Sequence, residues 1–101
     1  MGQITVEKNV GGIEGLCVIK PAVHEDDRGY FMETYEKNAF EEIGITGDFI
    51  QDNQSCSKKG VLRGLHFQKN HSQAKIVRCI KGEVFDVAVD LRPGSKTYGK
   101  W

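Results

Sequence analysis

Net charge is the first thing this sequence lacks: its 14 Lys and Arg balance its 14 Asp and Glu. A chain without a long-range field does not draw nucleic acid or an anionic membrane to itself, so any phosphate it binds must be met by a few placed cations. Long apolar runs are missing too, and none approaches the ~20 residues of a membrane-spanning helix. The opening residues, Met1-Gly2-Gln3-Ile4-Thr5-Val6, do not show the charged-then-apolar pattern of a signal peptide. Val6 stands where a myristoylation signal requires Ser or Thr. Cysteine is sparse and odd in number, Cys17, Cys56 and Cys79 with no CxxC pair, which argues against a disulfide framework or a zinc site. Each is expected to be a small buried apolar residue in a reducing, cytoplasmic compartment. Repeats, low-complexity tracts and linkers are absent, and 101 residues with 39% apolar content suffice for one small domain spanning 1–101.

What is present is a series of short β-prone segments punctuated by Gly, Asn, Asp and Lys. Residues 13–22 read as a strand interrupted at Pro21, 24–29 as a charged turn, and 30–35 as a second strand. Residues 36–43 form the one convincing helix, with Phe40 and Ile43 on its apolar side and Gly44 as its C-terminal stop. Strands are expected at 49–55, 61–68, 74–80 and 83–91. The fold class is therefore all-β with one short helix.

Residues 74–80 and 83–89 flank Lys81-Gly82, a two-residue hairpin connection in which Gly supplies the positive φ. If Ile80 pairs with Glu83, Lys75, Val77 and Cys79 share a face with Val84, Asp86 and Ala88. Ile76, Arg78, Ile80, Phe85, Val87 and Val89 take the other. Both faces are mostly apolar, so this ribbon needs cover on both sides. Lys75 and Asp86 become diagonal neighbours among apolar side chains, where charge is costly to bury. Two readings stand side by side: a structural ion pair or snorkelling lysine, and a cation held in a cavity to meet an anionic ligand atom.

The densest group of unusual polar residues lies in Gln51-Asp52-Asn53, with Gln51 and Asn53 on one face, and in Val61 to Gln68. Arg63 and His66 point to opposite faces of a regular strand, but a bulge at Gly64 would turn both into one cavity. Taken alone, His66 reads as a satisfied core or rim histidine. Metal-binding cupins use Gly, five residues, His-x-His, a later carboxylate, and a Gly seven residues beyond it. Here Gly60 stands at the right interval before His66, but Gln68 replaces the second His, and Lys75 stands seven residues before Gly82 in place of the carboxylate. An ammonium where a cation would sit argues for a metal-free site in which Lys75 does electrostatic work.

At this point the segments Asp27-Arg28-Gly29-Tyr30-Phe31-Met32-Glu33, Gln51-Asp52-Asn53-Gln54-Ser55, GVLRGLHFQ (60–68), QAKIVRC (73–79), GEVFDVAVDLR (82–92) and Tyr98-Gly99-Lys100-Trp101 resemble the dTDP-4-dehydrorhamnose 3,5-epimerases. The blocks stand in the family's order and cover nearly the whole chain. The resemblance implies a jelly-roll, cupin-like β-sandwich. It also implies catalytic roles for His66, the general base beside the C4 ketone, and Lys75, which stabilises the enolate oxygen. Arg28, Glu33, Gln51, Asn53 and Arg63 match residues that hold the nucleotide and its diphosphate. These residue types suit the chemistry: an imidazole titrates near neutrality, a fixed cation meets the developing oxyanion, and two arginines grip a diphosphate with paired hydrogen bonds. The implied substrate is a dTDP-4-keto-6-deoxy sugar, with no cofactor and no metal, and the implied assembly is a homodimer.

Two departures follow. The loop Lys69-Asn70-His71-Ser72 is short and lacks the proline pair of many members, and His71 in it is expected to be exposed rather than catalytic. Family members run on for about another eighty residues, which carry the proposed tyrosine acid, a second histidine and the aspartate that orients the base. A jelly roll needs roughly eight strands, so the sandwich is expected to be incomplete at the C-terminus. Weak turnover is expected unless a second polypeptide supplies the acid. The competing readings are a non-catalytic sugar-nucleotide-binding β domain and a related 3,4-ketoisomerase.

Overall fold

A computed structural model describes residues 4–101. Met1 to Gln3, on which the reading of the chain's start partly rests, lie outside the described residues. Regular structure is mostly strand, in two small antiparallel sheets, with one short helix. The chain up to Ile50 together with Val87–Trp101 forms one unit, and Gln51–Asp86 forms another. Among the described residues no helix is long and apolar enough to cross a membrane.

In the first unit, β1 (Ile4–Glu7) pairs with β2 (Val18–Pro21), placing Ile4 opposite Pro21 and Val6 opposite Ile19. These four are the half-buried positions of the pair, while Thr5, Glu7, Val18 and Lys20 face water. The period of two thus gathers Ile4, Val6, Ile19 and Pro21 on one side, with Val18 the one apolar residue of the pair that faces water. The expected strand over 13–22 is shorter than its pattern suggests, because local hydrogen bonds claim its first half. Asn9 adopts a left-handed conformation, and its Oδ1 accepts the Gly15 N–H at 3.0 Å. Val10 donates to the Leu16 carbonyl and Ile13 to the Val10 carbonyl, closing a turn that includes a 3₁₀ segment, Val10–Gly12. Ladder bonds to a neighbouring strand are thereby displaced.

β3 (Val23–Asp26) and β4 (Gly29–Met32) form a hairpin around the two-residue turn Asp27-Arg28, with His24 opposite Phe31 and Glu25 opposite Tyr30. The expected charged turn is real but narrower than 24–29, since β3 continues to Asp26. Next comes α1 (Lys37–Glu42), inside the expected span. Glu36 caps its start, its carboxylate accepting the N–H groups of Asn38 at 3.1 Å and Ala39 at 2.8 Å. Gly44, at a φ of 90°, closes its end as the pattern requires: Gly44 donates to the Glu41 carbonyl and Ile45 to that of Phe40. Six residues do not make a stable helix alone; α1 is held by Phe40, 2% exposed, which meets Tyr35 edge-on with ring centroids 4.7 Å apart. Phe49 also meets Tyr35 edge-on, with ring centroids 5.6 Å apart. Phe40 and Ile13 are the buried apolar side chains among the described residues.

The second unit departs from expectation. The segments 49–55, 61–68, 74–80 and 83–91 form no strand, and every residue of 51–86 is exposed. Sheet pairing is stabilised by side chains packing across strands and against a second layer. Here Leu62, Leu65, Phe67, Val77 and Phe85 lie in water, so no burial offsets the entropy of ordering. Gly82 keeps the expected positive φ, 76°, but marks a bend without a ladder. The cysteines also differ from expectation, Cys56 and Cys79 being exposed and Cys17 half-buried. The first two lie in this uncovered stretch.

Candidate active site

Arg28 and Glu33 belong to the first unit; Gln51, Asn53, Arg63, His66 and Lys75 belong to the second. Arg28 is the second residue of the β3–β4 turn, and Asp26 fixes it. Asp26 Oδ1 accepts the Arg28 backbone N–H at 2.8 Å, while Oδ2 accepts Nε–H at 3.1 Å and Nη2–H. The Arg28 side chain holds the Asp26 carboxyl below its usual range, helped by the backbone bond, and Asp26 in turn raises the guanidinium. An open concavity on this hairpin is lined by His24, Asp26, Arg28, Gly29, Tyr30 and Phe31. Glu33, just beyond β4, is half-buried.

Gln51 and Asn53 are joined, Gln51 Nε2 donating to Asn53 Oδ1 at 3.3 Å. That is the shared side expected of positions i and i+2. Arg63 donates from Nε to Ser57 Oγ at 2.9 Å and from Nη2 to the Cys56 carbonyl at 3.3 Å. Gly64 takes a φ of 121°, and a Cβ built on it would lie 3.8 Å from His66 Nδ1, so the imidazole sits against the glycine backbone. His66 and Lys75 are both exposed. No hydrogen bond joins them among the described residues. His71 is exposed, as expected of its loop.

Three groupings escaped the sequence reading. Lys37 Nζ pairs with Asp48 at 2.7 Å on the surface, and Asp26 braces Arg28. The third is the buried Asp90, 4% exposed. Its Oδ1 accepts the Arg92 backbone N–H and Nε–H, each at 3.0 Å. Its Oδ2 accepts Arg92 Nη2–H at 3.0 Å and the hydroxyls of Ser95 and Thr97, each at 2.6 Å. These donors, Arg92 foremost, hold the carboxyl well below the usual carboxylate range and outweigh the opposing effect of burial. The backbone closes the same loop, Asp90 donating to the Lys100 carbonyl at 2.9 Å and Gly99 to that of Asp90 at 2.7 Å. The spacing Asp-x-Arg followed by Ser-x-Thr was the available signal, since short polar side chains near a turn bond to local backbone.

A family model described as dTDP-4-dehydrorhamnose 3,5-epimerase matches residues 11–101. The dTDP-4-dehydrorhamnose 3,5-epimerase of Methanothermobacter thermautotrophicus is 56% identical over 89 residues, covering 88% of this chain and 48% of that protein. Its counterpart in Escherichia coli is 54% identical over 91 residues, covering 88% and 49%. That of Pseudomonas aeruginosa is 54% identical over 90 residues, covering 88% and 50%. The chain thus spans about half the length of these curated relatives. No solved structure matches it. All seven site residues fall inside the matched stretch, and the chain belongs to the dTDP-4-dehydrorhamnose 3,5-epimerase family.

Proposed function

We propose that this protein acts in the epimerisation of a dTDP-4-keto-6-deoxy sugar at C3 and C5, a step of dTDP-rhamnose biosynthesis. The observation that carries this reading is the family match over residues 11–101, which takes in the base, the cation for the oxyanion and the residues assigned to the nucleotide. His66 is the base: its imidazole takes the proton from the carbon beside the C4 ketone. The C–H electron pair becomes a carbon–carbon double bond, and the carbonyl π pair moves to oxygen. Lys75 stabilises that oxyanion with its ammonium, which enters no ion pair among the described residues. A proton delivered to the opposite face by the family's acid, which the resemblance places outside residues 1–101, restores the ketone with inverted configuration, and His66 gives its own proton to water, so composition does not change. Arg28 and Glu33 of the first unit, and Gln51, Asn53 and Arg63 of the second, are the residues assigned to the nucleotide and its diphosphate.

The exposed positions of His66 and Lys75 suit a site that substrate must reach. The apolar side chains of 51–86 support a fuller β-sandwich of jelly-roll, cupin-like form in an assembled homodimer, since each needs cover from water, and the sparse free cysteines suit the cytoplasm.

Deuterium wash-in from heavy water into the 4-keto sugar nucleotide tests the reading. Label at both C3 and C5, lost in His66→Asn, is expected. Label at C3 alone points instead to a ketoisomerase, and binding without exchange to a non-catalytic module.

A further inference from the structure

We infer that Asp26 is a positioning residue, holding the Arg28 guanidinium so that its terminal edge faces a diphosphate. The inference rests on the nucleotide-sugar reading above. One carboxylate makes three bonds to one residue two positions on, fixing the turn through Oδ1 and the guanidinium through Oδ2. An arginine carries five N–H donors in a planar fork. Asp26 takes Nε–H and one Nη2–H, which leaves both Nη1–H groups and the remaining Nη2–H. That is the edge that grips two phosphate oxygens at once.

The arrangement is poorly explained as a stability device. The Arg28 side chain is 90% exposed, and ion pairs this open to water contribute little to folding. Every residue of β3 is exposed as well, so the pair fastens nothing buried. The Asp90–Arg92 pair shows the contrasting structural case, a carboxylate out of water that also gathers two hydroxyls. Arg63, the other arginine assigned to the diphosphate, is held by the same Nε and Nη2 atoms, through Ser57 and the Cys56 carbonyl. Both arginines assigned to phosphate are therefore anchored along the side edge and open at the end.

The consequence runs against simple charge counting. Removing a negative charge beside an anion site strengthens binding if the charge only repels; it weakens binding if the charge orders the arginine. Calorimetric titration of the protein with dTDP separates the two. Asp26→Asn keeps an oxygen for the Arg28 backbone N–H but loses the charged grip on the guanidinium. It is expected to bind dTDP about fivefold more weakly, the penalty of ordering one long side chain on binding. In the Arg28→Lys background the same change is expected to do nothing, because its effect passes through the guanidinium. The Arg28 Nε–H resonance is expected to be sharp and shielded from exchange in the unaltered protein and averaged in Asp26→Asn. Equal or tighter binding by Asp26→Asn, or the same loss in both backgrounds, overturns the inference while leaving the nucleotide-sugar reading intact. Failure of the unaltered protein to bind dTDP overturns both.

Discussion

Replacing Gly64 by alanine separates the placement of the base from the stability of the chain. Gly64 has a φ of 121°, a conformation that L side chains rarely adopt. A Cβ there would meet the His66 backbone nitrogen at 3.7 Å and Nδ1 at 3.8 Å, ordinary contact distances. Room therefore exists, and the cost lies in the backbone, on the order of 1–3 kcal/mol. Rotation of φ to negative values relieves that strain and carries His66, two residues on, away from its place. A misplacement of about 1 Å in a reacting group lowers a rate by about 100-fold. Gly60 is the control: its φ is 88° with nothing within 4 Å of its built Cβ, so alanine there carries comparable strain with no histidine against it. Deuterium exchange at C3 is measured for both variants and normalised to the folded fraction from urea titration. Gly60→Ala is expected to keep exchange per folded molecule within about threefold, and Gly64→Ala to lose about 100-fold. Equal exchange per folded molecule in the two variants would refute the idea that Gly64 seats the base.

Phe40→Ala removes the most deeply buried apolar side chain among the described residues and is expected to cost about 3–5 kcal/mol, a large share of the roughly 5–15 kcal/mol of a typical domain. Urea unfolding followed by the near-ultraviolet signal of Tyr35 checks it, and a cost below about 1 kcal/mol would mean that the aromatic cluster is not the core. The Asp90 carboxyl, held well below its ordinary range first by Arg92 and then by Ser95 and Thr97, sets an acid limit. Because its folded pKa is depressed, its contribution is complete above the ordinary carboxylate value of about 4 and is lost as pH falls from there toward the folded value. The urea midpoint is expected to lose the Asp90 contribution as pH falls below about 4, while the Gly99 and Lys100 amide resonances of folded molecules hold steady through that value; a shift of those resonances centred near pH 4 would mean that Asp90 titrates as an ordinary carboxyl.

The sequence made some elements legible because their signals are local. Glu36 to Gly44 carries apolar spacing and a terminal glycine, and α1 formed within it. The charged turn read over 24–29 was visible from composition but is confined to Asp27-Arg28, and Gly82 took its positive φ. β1 was overlooked although Ile4-Thr5-Val6-Glu7 alternates in the manner of a half-buried strand; four residues are few against the Asn and Gly that follow. The strand over 13–22 was overread because the Asn9 side chain, which no periodicity records, draws the chain into a turn. The ribbon over 74–89 has the alternation of a two-faced sheet, but pattern states only what a segment needs for cover and not whether cover is there. At the site, residue types were legible through kinship with the family, whereas the braces on Arg28 and Arg63 are matters of geometry. Asp26 and Ser57 look like ordinary turn residues until their partners are known.

The uncovered stretch 51–86 has a practical side. Leu62, Phe67 and Phe85 offer water a surface that most soluble chains keep hidden. The isolated polypeptide is therefore expected to stay dispersed when dilute and to adhere through these oily groups when crowded.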